Sequence, residues 1–97
     1  MISRDNVLEV LQKSKGELED RFGVTSLGIF GSVASGKINE TSDVDIVVKL
    51  RTPNLFTLVH IKEALEEALH EHVDIIHYRE SMNGFLKSRI DRDAIYV

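Results

Sequence analysis

Cysteine is absent from the sequence, which excludes a disulfide framework, a thiolate zinc site and a cysteine nucleophile. That absence fits a reducing cytoplasm, the expected location. An excess of positive charge is absent too: 12 Lys and Arg stand against 16 Asp and Glu, a formal net charge of −4, with the basic residues scattered. Generic binding to a nucleic-acid backbone is therefore not expected, whereas a small anion held through a metal is compatible with this charge. No apolar run approaches the length that crosses a bilayer. The opening Met-Ile-Ser-Arg-Asp-Asn has no apolar signal core, so no membrane association is expected. Ninety-seven residues allow one compact domain, 1–97.

What is present is organised around Leu27–Leu50, LGIFGSVASGKINETSDVDIVVKL. An apolar strand, Val24–Phe30, ends in Gly31-Ser32, and a small-residue turn leads into one turn of helix. Lys37–Ser42 reads as a polar loop, and Asp43–Leu50 as a second strand. Alternation places Asp43, Asp45, Val47 and Lys49 on one face of that strand, and Val44, Ile46, Val48 and Leu50 on the other. Gly28 within the first strand predicts a close approach by another backbone or a ligand.

The rest of the chain alternates helix and strand. Val7, Leu8, Leu11, Leu18 and Phe22 recur at helical spacing, with Ser3 as N-cap and Gly23 as the stop. After Pro53-Asn54 a second long helix carries Leu55, Leu58, Ile61, Leu65, Ala68 and His72 on one stripe. Val73–Tyr78 is a third strand containing a lone acid, Asp74. A last helix is predicted from about Met82 to Asp91 with Phe85, Leu86 and Ile90 inward, followed by an extended end at Ala94–Val97. The order α-β-α-β-α-β-α predicts an α/β fold on a small mixed sheet of three to four strands.

Two carboxylates beside a buried strand repel one another, and a divalent cation is the simplest remedy. If the three strands are neighbours, Asp43, Asp45 and Asp74 converge, and a cation site is expected there. The run Gly31–Lys37 has P-loop spacing, but Ile38 stands where a P-loop needs a hydroxyl on magnesium. What survives is that backbone N–H groups at the start of a short helix can cradle phosphate. His70, His72 and His77 do not have the spacing of a metal site, and Tyr78 and Tyr96 read as packing or partner contacts.

Gly31-Ser32, ten residues, then Asp43-Val44-Asp45, with Asp74 in a third strand, resembles the polymerase-β-type nucleotidyltransferase superfamily. The small size and the run GSVASG…SDVDIVV resemble its minimal nucleotidyltransferase branch, the MNT antitoxins encoded with HEPN-domain toxins. The resemblance implies the minimal nucleotidyltransferase fold, with Asp43, Asp45 and Asp74 holding two Mg²⁺ ions and serving catalysis. It implies that Gly31 and Ser32, aided by Ser35 and Lys37, bind the triphosphate of ATP. The implied function is protein adenylylation: AMP passes from ATP to a tyrosine of the HEPN ribonuclease toxin, which is the implied partner. In-line attack at the α-phosphorus builds charge on the entering and leaving oxygens, and two metals stabilise both. The turn of the family commonly reads Gly-Ser-x-Ala-Arg-Gly, and Ser35 stands here at the arginine position, offering a hydroxyl in place of a charge. Two other readings stay open, an antitoxin that neutralises by binding alone and a nucleotidyltransferase for a small molecule.

Overall fold

A computed structural model describes residues 3–36 and 43–97. In chain order the elements are α1 (Arg4–Phe22), β1 (Val24–Phe30), α2 (Gly31–Ser35), β2 (Val44–Leu50), α3 (Leu55–Leu69), β3 (Val73–His77), α4 (Gly84–Asp93) and β4 (Ile95–Tyr96). The helix ends follow the sequence chemistry. The Ser3 side chain accepts from the Asn6 N–H, and Gly23 closes α1 in the left-handed region at φ 71°. Asn54 caps α3 through two backbone N–H groups, of Phe56 and Thr57. Asn83 caps α4 through Leu86.

The four strands form one mixed sheet in the order β3-β2-β1-β4. β1 runs antiparallel to both β2 and β4, while β2 and β3 are parallel. Val44, Ile46 and Val48 of β2, with Leu27 and Ile29 of β1, pack against Val7, Leu11 and Leu18 of α1 and Ile61, Leu65 and Leu69 of α3. The opposite face is covered by a smaller cluster in which Ile90 of α4 meets Phe30, Val47 and Tyr78. Ile46, Val47 and Val48 are therefore all fully buried, which is why β2 reads as a continuous apolar run rather than an alternating one.

The close approach expected at Gly28 comes from β4. A Cβ on Gly28 would lie 2.6 Å from the Ile95 carbonyl oxygen and 3.0 Å from the Tyr96 Cα. Val97 continues the pairing, its N–H donating to Leu27 O at 2.9 Å. Tyr78 is a packing residue whose hydroxyl donates to Asp91 Oδ1 at 2.8 Å, a bond that raises the phenol pKa.

Three expectations fail, each for a local reason. α3 ends at Leu69, where His70 adopts a left-handed conformation at φ 56°, so His72 lies beyond the helix and is exposed. Leu69, rather than Ala68, then takes the buried place on the stripe. Leu55 and Phe85 are both 75% exposed, each in the first turn of its helix.

Among the described residues no helix is long and apolar enough to cross a membrane.

Candidate functional site

The sheet register brings two of the three acids together. Asp45 pairs with Asp74 across the parallel β2–β3 ladder, and with Phe30 across the antiparallel β1–β2 ladder. Side chains of register partners share a face, so Asp74, Asp45 and Phe30 form one row at a single end of the sheet, on the face that α4 covers. Asp43 is exposed, immediately before β2. The strands are neighbours, as the expectation required, and the acids meet at the end of the sheet with β2 in its interior.

Partial burial raises the Asp45 carboxyl above the usual carboxylate range, and the Asp74 and Asp43 carboxylates push in the same direction. The consequence for stability has a definite sign. The folded chain holds the Asp45 proton more tightly than the unfolded chain does, so ionising this group opposes folding. Stability contributed here is present below the ordinary carboxylate pKa and is lost as pH rises through the raised one. Metal-free Asp45→Asn protein is therefore expected to melt at a higher temperature than the unmodified chain at pH 7, the gap closing as the pH is lowered. A pH series of melting curves checks this, and an equal or lower melting temperature at pH 7 contradicts it.

The turn after β1 is built against Asp45. Gly31 has φ 68°, and a Cβ at that position would overlap the Asp45 carboxylate oxygen Oδ2. Glycine is required twice over here, for the left-handed backbone and for the close approach. Ser32 follows in the first turn of α2, whose N-cap position, Phe30, provides no side-chain acceptor for the leading N–H groups. Ser35 is exposed, and its hydroxyl donates to Ser32 O at 3.1 Å, so its proton is engaged within its own helix. Lys37 lies outside the described residues.

Across from this turn, α4 contributes two cations that sequence reasoning missed. Gly31, Ser32 and Ser35 form one wall of an open cleft of about 580 Å³, Phe30 its floor, and Arg89, Arg92 and Asp93 its other wall. Arg92 forks onto Asp93, with Nε–Oδ1 at 3.0 Å and Nη2–Oδ2 at 3.1 Å, which holds the Asp93 carboxyl below its usual range. Arg89 places its guanidinium 5.9 Å from the Phe30 ring centroid. The three-residue spacing of these arginines marks one helix face. Which way that face turns depends on Ile90 docking onto the sheet, a fact of packing rather than of pattern. A groove of similar size, about 540 Å³, lies between α1 and α3; the three acids line neither space, and the glycine turn lines the α4 cleft alone of the two.

The donor set fits a hard divalent cation. All the candidate donors are carboxylate oxygens, and Asp45 is partly removed from water beside two like charges. Among the described residues no three acids or histidines are gathered closely enough to form a closed cage. The expected gathering of all three acids at one cation site is therefore not seen among the described residues, and Asp45 and Asp74 are the pair that the register brings together.

Comparison with known proteins agrees with this architecture. The nucleotidyltransferase domain family matches residues 11–97. Protein adenylyltransferase MntA of Thermococcus cleftensis is 35% identical over 98 residues, spanning 100% of this chain and 98% of its own length. A solved structure assigned to the minimal nucleotidyltransferases superimposes with a TM-score of 0.79 at 29% identity, covering 97% of this chain and 95% of the other. An MNT antitoxin structure, a complex with the tri-AMPylated HEPN toxin of Shewanella oneidensis, shares the fold at a TM-score of 0.60 and 18% identity, over 96% of this chain and 66% of that one.

Proposed function

This chain belongs to the nucleotidyltransferase family, to the branch of the MntA protein adenylyltransferases, and from that membership we propose that it transfers AMP from ATP to a tyrosine of a HEPN toxin and so acts as its antitoxin. The observation that carries the reading is the row Asp74–Asp45–Phe30 running into the Gly31 turn, which places paired carboxylates next to the turn that lines the α4 cleft. The relatives named above support the choice of AMP, of a protein acceptor and of a HEPN partner. Exposed Leu55, Phe56 and Phe85 are apolar side chains of the kind a protein interface takes up. In this reading the reaction runs in the cytoplasm, where ATP is supplied, on a single domain, 1–97.

In this reading Asp43, Asp45 and Asp74 hold Mg²⁺, and the backbone N–H groups of Gly31 and Ser32 orient the triphosphate, with the Ser35 hydroxyl oxygen and Lys37 at its margin. Bound Mg²⁺ supplies charge neutralisation for the phosphates and acidifies a hydroxyl near it. The acceptor oxygen bonds to the α-phosphorus as the bond from phosphorus to the bridging oxygen breaks, and pyrophosphate leaves with that electron pair. The hydroxyl proton passes to a carboxylate oxygen of Asp74, so no histidine is needed as base. This agrees with the positions of His70 and His72, which line a separate shallow surface with Glu66 and Glu71.

Parallel incubations with ATP labelled at the α- or the γ-phosphate, Mg²⁺ and the toxin encoded beside this chain test the proposal. Label from the α position is expected on the toxin, and it disappears when the acceptor tyrosine is changed to phenylalanine. Label from the γ position on the toxin, or none from either, overturns it.

A further inference from the structure

We infer that Arg89 binds the departing pyrophosphate and is the cation that the glycine turn itself lacks. The inference rests on the nucleotidyl-transfer reading above and adds a residue to it. In-line displacement puts the attacking and leaving oxygens on opposite sides of the α-phosphorus. The row across the sheet is Asp74, Asp45, Phe30. With the acceptor activated at Asp74, the leaving group departs toward Phe30 and the Gly31 turn, and Arg89 puts a cation over the Phe30 ring.

Charge makes the same assignment. The acids at this end of the sheet repel a polyanion, and on the turn side of the cleft neither Gly31, Ser32 nor Ser35 carries charge. Both arginines of the cleft come from α4, but they are not equivalent. Arg92 has its fork engaged by Asp93 through two hydrogen bonds. Arg89 has no carboxylate within ion-pair distance among the described residues; its charge reaches Asp93 only through space, and its guanidinium lies over the Phe30 ring. A guanidinium so placed keeps its hydrogen-bond donors for phosphate oxygens, a geometry that a planar fork satisfies better than an ammonium.

The test measures binding of ATP, pyrophosphate and AMP separately, with Mg²⁺ present, to the full chain carrying Arg89→Met, Arg89→Lys, Arg92→Met or Arg79→Met. A charge-assisted contact predicts that Arg89→Met weakens ATP and pyrophosphate about tenfold to a hundredfold. AMP binding stays within about twofold, since AMP has no leaving phosphates. Arg89→Lys recovers part of the loss. Arg92→Met has a smaller effect, because its charge is already shared with Asp93, and Arg79→Met, beyond the opposite end of β3, has none. Melting temperatures of all four variants should match the unmodified chain, which separates a lost contact from a damaged fold. Unchanged ATP and pyrophosphate binding in Arg89→Met, or an equal loss for AMP, overturns the assignment and leaves the nucleotidyl-transfer reading standing. An unmodified chain that binds neither ATP nor pyrophosphate overturns both.

Discussion

Replacing Asp43 and Asp45 together by asparagine is expected to lower AMP transfer by about a thousandfold or more, while the protein stays folded and melts no lower than before. The size follows from what the two side chains do in the proposed site. Preorganised charge aimed at a reacting phosphoryl group is the largest contribution to this kind of catalysis, and removing one such element typically costs about a hundredfold to a thousandfold. The fold is expected to survive because, among the described residues, no ion pair uses either carboxylate. Asp45 is at present a source of strain, its ionised form disfavoured by partial burial and by Asp74 and Asp43. Asparagine keeps nearly the same shape and removes the repulsion. The combination of lost transfer with undiminished stability is what marks a functional pair, since a merely structural pair of acids would lose both together. Transfer rates and melting curves on the same preparation decide the matter, and transfer within about tenfold of the unmodified chain contradicts it.

Gly31→Ala is expected to give the second large effect, with the opposite signature. At φ 68° a side chain strains the backbone by about 1–2 kcal/mol. The new Cβ would also overlap the Asp45 carboxylate, so that group must swing out of its row with Asp74 and Phe30. Transfer is expected to fall about a hundredfold, the scale on which a misplacement of about 1 Å acts. The melting temperature falls with it, by about 5 °C or more for a domain of this size. Full activity in this variant would mean that the turn does not set the position of Asp45. Measured beside the double asparagine variant, it separates the two jobs of the site: the acids supply charge, and the glycine lets one of them stand where the charge is useful.

Much of this was legible in the sequence, because it was written in local rules. Ser3 and Gly23 bounded α1 through capping chemistry confined to a few residues, and Pro53-Asn54 marked the break before α3. The alternation in β2 assigned Asp45 and Val47 to one face and Ile46 and Val48 to the other, as the two core clusters show. The convergence of Asp45 with Asp74 followed once the strands proved to be neighbours. What pattern could not supply was anything set by long-range packing. Gly28 announced a close approach without naming the partner, which came from Ile95 and Tyr96 near the end of the chain. Leu55 and Phe85 carried helical spacing but fell in the exposed first turns of α3 and α4. Arg89 looked like one of several scattered cations, and only the docking of Ile90 turned it over Phe30. Ser35, at a position where the resemblance led us to look for an arginine, is tied to Ser32, and the cleft finds its positive charge on α4 instead.

The central claim is that this chain silences its partner by chemistry rather than by occupancy, and intact mass of the HEPN toxin measures that most directly. The proposed partner, a HEPN toxin, is incubated with ATP, Mg²⁺ and either the unmodified chain or the Asp43→Asn/Asp45→Asn variant, then separated, weighed and assayed for ribonuclease activity. The account predicts whole AMP increments on the toxin and loss of its activity with the unmodified chain, and neither with the variant. A toxin silenced at unchanged mass, or silenced equally by the variant, would contradict it and identify an antitoxin that works by binding alone.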